Sequence, residues 1–542
     1  MLYNVAEMKQ IQQGQSTRNE MVFQVVMPLD VGIMIPEDAT VRLLKEITER
    51  MDFSKLNQSY ARKVYAGGAT PKQLFEIVIL GFMKGRCSLR DFEDACQYDI
   101  CFRFLLGNQG IPDHSRFGRF IRERLQEETA EHLFYQLIRD LREREEIEGK
   151  SLFVDGTKIE ANANRYSFVW AKSVGKNAEK LEEKTARLLK EINLAYPLAM
   201  SGAQAAEEVL LHLEAMAQEQ GIEFVHGKGN RKKQIQKHIE SLRMQLSKAE
   251  EYRNHRAIMG QRNSYSKTDH DATFMRMKED HMQNGQLKPA YNVQIGVEGE
   301  YIVGVDITSD RNDAGSLLPL LARMNEQGGL VHEQIVADAG YESEENYTQL
   351  EQRGQEAYIK PQNYEKSKQR SFRQNAFLRE NMPYDAQEDC YTCPAGKKLR
   401  HEYDKVRRSK TDYEQNVSIY LSEGCAGCSV KAMCTKAKEN RRIEVSKTFL
   451  RQRSEALERI TSEKGILLRI NRSIQAEGAI GVLKEDWGFR RFLRRGNPNV
   501  MTELLLRAFA YDVNKLHNKR SQQRLKTQLI VPKKTEYLPN TG

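Results

Sequence analysis

The 542-residue chain is too long for one ordinary domain, so two to four folded units are expected. Charged residues make up 29% and mean hydropathy is −0.67, yet apolar runs recur, as in a soluble globular protein; none approaches the roughly 18–20 residues that span a bilayer, and residues 1–9 lack a signal-peptide core, so a cytoplasmic protein with no membrane partner is expected. The net charge of +9 is modest, but 13 Lys/Arg against 5 Asp/Glu fall between Lys484 and Gly542, the footprint of a polyanion partner beside a solvated tail.

Residues 1–37 carry no strong signal, and residues 40–145 read as helical. Thr70 and Pro71 supply a cap and a first-turn proline for the apolar segment Leu74 to Met83. Ser88 to Asp91 resembles a capping box, with Asp in place of Glu. Asp113, His114 and Ser115 then open an amphipathic helix, Arg116 to Arg124, that carries four arginines. Short helices ending in a basic one suit a helix-turn-helix-like DNA-binding domain, and a packed bundle with a charged outer face fits the pattern equally well. Residues 1–145 are assigned as an N-terminal helical DNA-binding domain.

An apolar run, Ser151 to Val154, ends at Asp155 and predicts a strand. Residues 172–258 follow as charged helix: Leu181, Leu188 and Ile192, then Ile235, Ile239, Leu242, Leu246 and Ala249, recur at helical spacing. A breaker run, Gly227 to Asn230, divides this segment into a helical-hairpin insertion, most simply a spacer. Ala290–Val297 and Glu300–Ile307 predict a hairpin turning at Glu298-Gly299. Helix is expected over 313–324, strand at Ile335–Asp338, helix over 343–352, strand over 357–360, a cysteine-bearing insertion over 385–440 and helix from Ile466 to Asp486. Without its insertions the order is β-β-β-α-β-α-β-α, that of an RNase H-like mixed α/β sheet. The catalytic domain is placed at 146–515 and a basic tail at 516–542.

Asp155 and Asp338 end predicted strands, and Glu477 lies on the last helix. Carboxylates gathered this way suit divalent metal chemistry on phosphodiesters, because Mg²⁺ takes hard oxygen ligands and keeps several waters. Gly156 and Gly340, close to the two aspartates, would let a backbone approach. At roughly 100° per residue, Ile466, Ile470, Ile474, Glu477, Gly481 and Lys484 share one face, which is expected to pack on the sheet. A Glu within that face needs a ligand, and seven residues is too long a reach for a pair with Lys484. Lys484, about 10 Å further along the face, is placed to hold phosphates.

Cys87, Cys96 and Cys101 read as core residues of the helical block. Cys390-x2-Cys393 and Cys425-x2-Cys428-x5-Cys434 have metal-ligand spacing. Four of the five suffice for a tetrahedral structural Zn²⁺ in a loop-rich insert, the fifth leaves the ligand set open, and a reduced cluster without metal is the plainer alternative.

Asp155 to Asn164, Asp338-Ala339-Gly340-Tyr341 and Glu477-x6-Lys484, with Lys267 to Ala272 and Tyr291 to Gln294 between them, resemble the DDE transposases of bacterial insertion sequences, over residues 40–515. The resemblance implies an enzyme that binds terminal inverted repeats, cleaves strands at element ends and joins them to target DNA with Mg²⁺ or Mn²⁺. It also implies a nucleoid-associated dimer on double-stranded DNA, since two ends must be brought together. Asp155, Asp338 and Glu477 carry over as the catalytic, metal-binding triad and Lys484 as a DNA contact. Relatives often place Arg four residues before the Glu, where this chain has Ser473; Arg472 lies about 140° off the Glu477 face. Arg490, Arg491, Arg494 and Arg495 are the alternative phosphate contacts, or else a solvated basic loop. Asp269 and Asp271 are expected in a loop or capping role outside the triad. The competing functions are a DNA-binding protein that recognises repeat ends without cutting, and a host nuclease of the same fold.

Overall fold

The computed structural model describes residues 31–60, 68–196, 205–226, 232–277 and 285–531. The breaker run at 227–230, most of residues 1–37 and the end of the basic tail from 532 lie outside these. Helix Pro71–Met83 starts at Thr70, whose hydroxyl accepts the Gln73 N–H while the Gln73 side chain accepts the Thr70 N–H. Leu74 to Met83 has almost no polar side, so the helix is buried all round, against its neighbours and the long C-terminal helix Asn497–Ser521. Ser88 and Asp91 make the same reciprocal cap for Leu89–Tyr98. The basic stretch is not one α-helix: His114–Arg119 passes into a π-helical turn, Phe120–Arg124. Arg116 donates to the Ala69 carbonyl and Arg124 to that of Ser59, so two of the four arginines are spent inside the block, while Arg119 and Arg122 are exposed.

Among the described residues eight strands precede the cysteine insertion: β1 (Ser151–Glu160), β2 (Phe168–Trp170), β3 (Ser264–Ser266), β4 (Thr273–Arg276), β5 (Leu287–Glu298), β6 (Tyr301–Thr308), β7 (Gln334–Ala337) and β8 (Glu356–Ile359). Strand β5 runs antiparallel along one side of β1, β7 runs parallel along the other, and β8 continues parallel beyond β7. Strands β4 and β6 share the far side of β5, and β2 pairs only with β3. This is the expected RNase H-like mixed sheet, with three differences of detail. Strand β1 does not end at Asp155 but runs on to Glu160, because β5 pairs with it along that length. The β5–β6 turn sits at Gly299 and Glu300, both left-handed (φ 58° and 71°), one residue later than expected. The helix expected from Asp313 begins at Leu317, since residues 313–316 form a turn in which Ser316 donates to the Asp313 carbonyl.

One apolar core runs unbroken from the N-terminal helices through the sheet to the C-terminal helix. The described residues of the first insertion form not a hairpin but three helices, Ala171–Ala195, Ala205–Glu219 and Gln234–Met259, around a separate core that includes Ile192, Leu213 and Ile239. Nor is the cysteine insertion loop-rich. It forms a five-stranded antiparallel sheet of β9 (Tyr384–Asp385), β10 (Cys390–Thr392), β11 (Lys398–Arg408), β12 (Glu414–Ser422) and β13 (Arg442–Val445). The charge of β11, most of which is exposed, hides the strand from a search for alternating apolar residues.

Helices Lys447–Thr461 and Glu463–Arg472 lead into a stretch that leaves α geometry twice, in π turns at Ser473–Glu477 and Val482–Asp486 around the short α segment Gly478–Gly481. Leu468, Asn471, Gln475, Ala476, Ala479 and Leu483 face the core, whereas Ile466 and Ile474 are exposed. The face expected to pack on the sheet is therefore turned outward, and it is so from Ile466 onward, where the regular helix Glu463–Arg472 buries Leu468 and Asn471 instead. Much of the C-terminal positive charge is also internal. Arg507 pairs with Glu503 at 3.1 Å and Lys519 with Glu146 at 2.6 Å, all four side chains being buried. Among the described residues no helix is long and apolar enough to cross a membrane.

Candidate active site

Strands β1 and β7 are parallel, with Val154 opposite Ala337, so Asp155 and Asp338 follow at neighbouring positions. Asp155 accepts the Gly156 N–H at 2.9 Å through Oδ1. Asp338 begins a 3₁₀ turn, Ala339–Tyr341, and its Oδ1 accepts the Gly340 N–H at 2.8 Å. Glu477 closes the first π turn, and its side chain is 48% exposed toward the cleft rather than packed on the sheet. The three carboxylates line one open cleft of about 330 Å³, together with Thr157, Arg472, Ile480, Gly481, Lys484 and Glu485.

Glu477 has a partner that a regular helix would deny it. Arg472 Nη2 donates to Glu477 Oε1 at 2.6 Å, and Ser473 Oγ donates to Oε2 at 2.9 Å. Arg472 Nη1 lies 3.5 Å from Asp155 Oδ2, too far for a hydrogen bond, and is buried without one. The placement of Arg472 off the Glu477 face is thus overturned: the π turn brings residues five apart into register. Lys484 is buried, and its ammonium donates to Thr157 Oγ1 at 3.1 Å.

The four arginines after the last helical turn divide. Arg490 is exposed and paired with Glu485. Arg491 and Arg495 are exposed and donate to the carbonyls of Ala163 and Asn162. Arg494 is instead turned inward, donating to the Ile121 carbonyl at 3.2 Å, and burial pushes its guanidinium down to about 10, so it is removed from the phosphate contacts.

Asp269 and Asp271 do not line this cleft. Asp269 accepts the Tyr291 hydroxyl at 2.9 Å and the Gly496 N–H at 3.2 Å, and Asp271 accepts the Asn497 N–H at 2.8 Å, which ties down the start of helix Asn497–Ser521. Burial lifts the Asp269 carboxyl above its usual value. The glycines also serve differently from expectation. A Cβ on Gly156 would come within 3.1 Å of Asp313 Oδ1, and one on Gly340 within 3.2 Å of Asp313 Oδ2, so what approaches is a side chain rather than backbone.

Arg472 and Thr157 line the cleft without having been assigned from the sequence, and Asp313, against Gly156 and Gly340, was not assigned either. A signal for Asp313 existed in β5, where Asn292 and Gln294 place two amides on one face of a central, buried strand, and buried amides need partners. Nothing in the sequence marks the π turn.

In the cysteine insertion, Cys393, Cys425, Cys428 and Cys434 line one small pocket and Cys390 does not. Lys397 N–H donates to Cys393 Sγ at 3.3 Å, Arg441 N–H to Cys425 Sγ at 3.3 Å and Arg441 Nη1 to Cys434 Sγ at 2.8 Å. Burial acts to raise the Cys425 thiol, but the Arg441 N–H, Ser422, Lys431 and Lys397 bring it below the usual value. Among the described residues no three His, Cys, Asp or Glu side chains are drawn together into a metal-holding group. In the cleft, Arg472 stands between two of the carboxylates.

Two family models match the chain. Residues 392–517 match the Transposase DDE domain, a span that holds Glu477 and Lys484 and follows Asp155 and Asp338. Residues 30–123 match the Transposase domain (DUF772). No curated protein matches the chain.

Proposed function

We propose, from the premise that the chain is a DDE transposase of an insertion sequence, that it binds the terminal repeats of its element and cuts and joins DNA strands in the cleft of Asp155, Asp338 and Glu477. The observation that carries this is the convergence on one cleft of carboxylates from a strand, a 3₁₀ turn and a helix that are far apart in sequence. The donor set is all oxygen and the cleft is open, as suits a hard divalent ion that keeps water. Asp155, Asp338 and Glu477 would hold Mg²⁺ or Mn²⁺, which when bound supplies a polarised attacking oxygen and neutralises the leaving one.

The chain's own residues then have distinct tasks. Arg472 holds Glu477 toward Asp155. Lys484, with Thr157 beside it, and the exposed Arg490, Arg491 and Arg495 hold the flanking phosphates. Arg119 and Arg122 offer the helical block's charge to the repeat duplex. Two copies on two ends complete the assembly, and target DNA enters the same cleft. In the cysteine insertion, Cys393, Cys425, Cys428 and Cys434 are the proposed ligands of a structural Zn²⁺, with N–H donors already aimed at three of their sulfurs.

The test is nicking of a repeat-ended duplex by the full chain with Mg²⁺ or Mn²⁺. Cleavage confined to repeat ends supports the proposal; repeat binding without any cleavage supports an end-recognition protein, and cleavage indifferent to end sequence a general nuclease.

A further inference from the structure

Asp313 sits in the turn between β6 and helix Leu317–Gly328, and its carboxylate faces β5. Its Oδ1 accepts the Asn292 amide at 2.6 Å and the Gln294 amide at 3.3 Å, both from β5. The Gln294 Oε1 in turn accepts the Tyr341 hydroxyl, which fixes which way that amide points. Tyr341 is fully buried at the end of the 3₁₀ turn that Asp338 begins. Gln294 lies opposite Gly156 in the sheet, next to Asp155. A Cβ on Gly156 would meet the Gln294 amide at 3.0 Å and Asp313 Oδ1 at 3.1 Å, and one on Gly340 would meet Asp338 Oδ1 at 3.0 Å and Asp313 Oδ2 at 3.2 Å. Asp313 therefore fills a notch between two glycines, each beside an acid of the triad.

We infer that Asp313 is a positioning residue: through Asn292, Gln294 and Tyr341 it sets the spacing of Asp155 and Asp338, the two carboxylates that would help hold a divalent cation. The inference rests on the assignment of Asp155, Asp338 and Glu477 as the metal-holding triad. It gives a use to two glycines, two buried amides and a buried tyrosine that would otherwise be unrelated. Partners of metal ligands of this kind hold their geometry, and their loss typically weakens metal affinity or activity about 10–100-fold. Hydrogen-bond acceptance is the property required, so an amide at position 313 retains part of the function.

The experiment is titration of the full chain with Mn²⁺, read by isothermal calorimetry and by the free-ion electron paramagnetic resonance signal, beside thermal melting and end-DNA affinity. Asp313→Ala is expected to weaken Mn²⁺ binding about 10–100-fold with end-DNA affinity unchanged. Asp313→Asn, which keeps an acceptor for both amides, recovers most of that loss. Tyr341→Phe, which removes only the hydroxyl link, gives a loss of several-fold and carries the test if Asp313→Ala does not fold. Wild-type Mn²⁺ affinity in Tyr341→Phe or in a folded Asp313→Ala overturns the inference. Equal losses in Asp313→Ala and Asp313→Asn also overturn it, in favour of direct metal ligation. A wild-type chain that binds no Mn²⁺, or binds it equally well as Asp155→Asn, removes the triad assignment instead.

Discussion

Arg472 and Glu477 are joined by a 2.6 Å hydrogen bond across a π-helical turn. In a regular α-helix residues five apart point about 140° from each other; here the same guanidinium also faces Asp155 on the sheet. One side chain thus links the helical carboxylate to a strand-borne one. Arg472→Gln is expected to lower the rate of strand nicking about 10–100-fold with melting temperature and end-DNA affinity nearly unchanged, since Arg472 lies at the cleft and not in the core. Single-turnover nicking of an end duplex measures it.

Arg507 is packed between the Phe82 and Phe489 rings, its guanidinium carbon 4.5 and 4.0 Å from their centroids, and bonded to buried Glu503. Truncation leaves Glu503 buried without its cation, with the Leu493 N–H still donating to its Oε2. Arg507→Ala should destabilise the fold by about 3–5 kcal/mol, measured by urea denaturation. If the C-terminal positive charge served mainly as a DNA surface, the substitution would weaken DNA binding and leave stability alone.

Asp389 in the cysteine insertion accepts the Tyr384 and Tyr420 hydroxyls at 2.7 Å and the Lys447 ammonium at 2.9 Å. Burial opposes ionisation, but the three donors outweigh it and hold the carboxyl down to about 2. Its unfolded value is about 4, so the folded chain binds this proton less tightly than the unfolded one. The stabilisation is complete above about pH 4 and is lost as pH falls through about 2. Because solvent reaches the site, Asp389→Asn should cost only roughly 1 kcal/mol at pH 7, and the difference from wild type should shrink toward pH 2. Denaturation midpoints measured across that range check it.

The order of the core was legible because its strands are buried on both faces and its helices carry caps: Thr70, Ser88 and Ser343 all start helices where they were expected to. Asp338 and Asp155 were legible for the same reason, as acids in apolar runs. What escaped was set by tertiary contact. The partner of Glu477 depends on a π turn with no sequence signature, and Asp313 reaches the site only because β5 lies between β1 and β6. Arg494 reads as one more exposed arginine until the Ile121 carbonyl is folded against it. The cysteine sheet hid behind the charge of β11.

The cysteines separate by position. Cys390 is buried outside the pocket that Cys393, Cys425, Cys428 and Cys434 line. Metal analysis of the purified chain should find about one Zn²⁺ per chain, retained in Cys390→Ser and lost in Cys393→Ser or Cys428→Ser. Zinc lost in Cys390→Ser, or absent throughout, contradicts the ligand set.

The central claim is that Asp155, Asp338 and Glu477 act together. The most direct measurement compares Mg²⁺-dependent nicking of a repeat-ended duplex by wild type, Asp155→Asn, Asp338→Asn and Glu477→Gln, with end binding measured in parallel. Each substitution is predicted to reduce nicking by at least about 10³-fold while end-DNA affinity stays within a few-fold, and EDTA should abolish wild-type cleavage until Mg²⁺ or Mn²⁺ is restored. Substantial nicking in any one of the three folded variants would contradict the account.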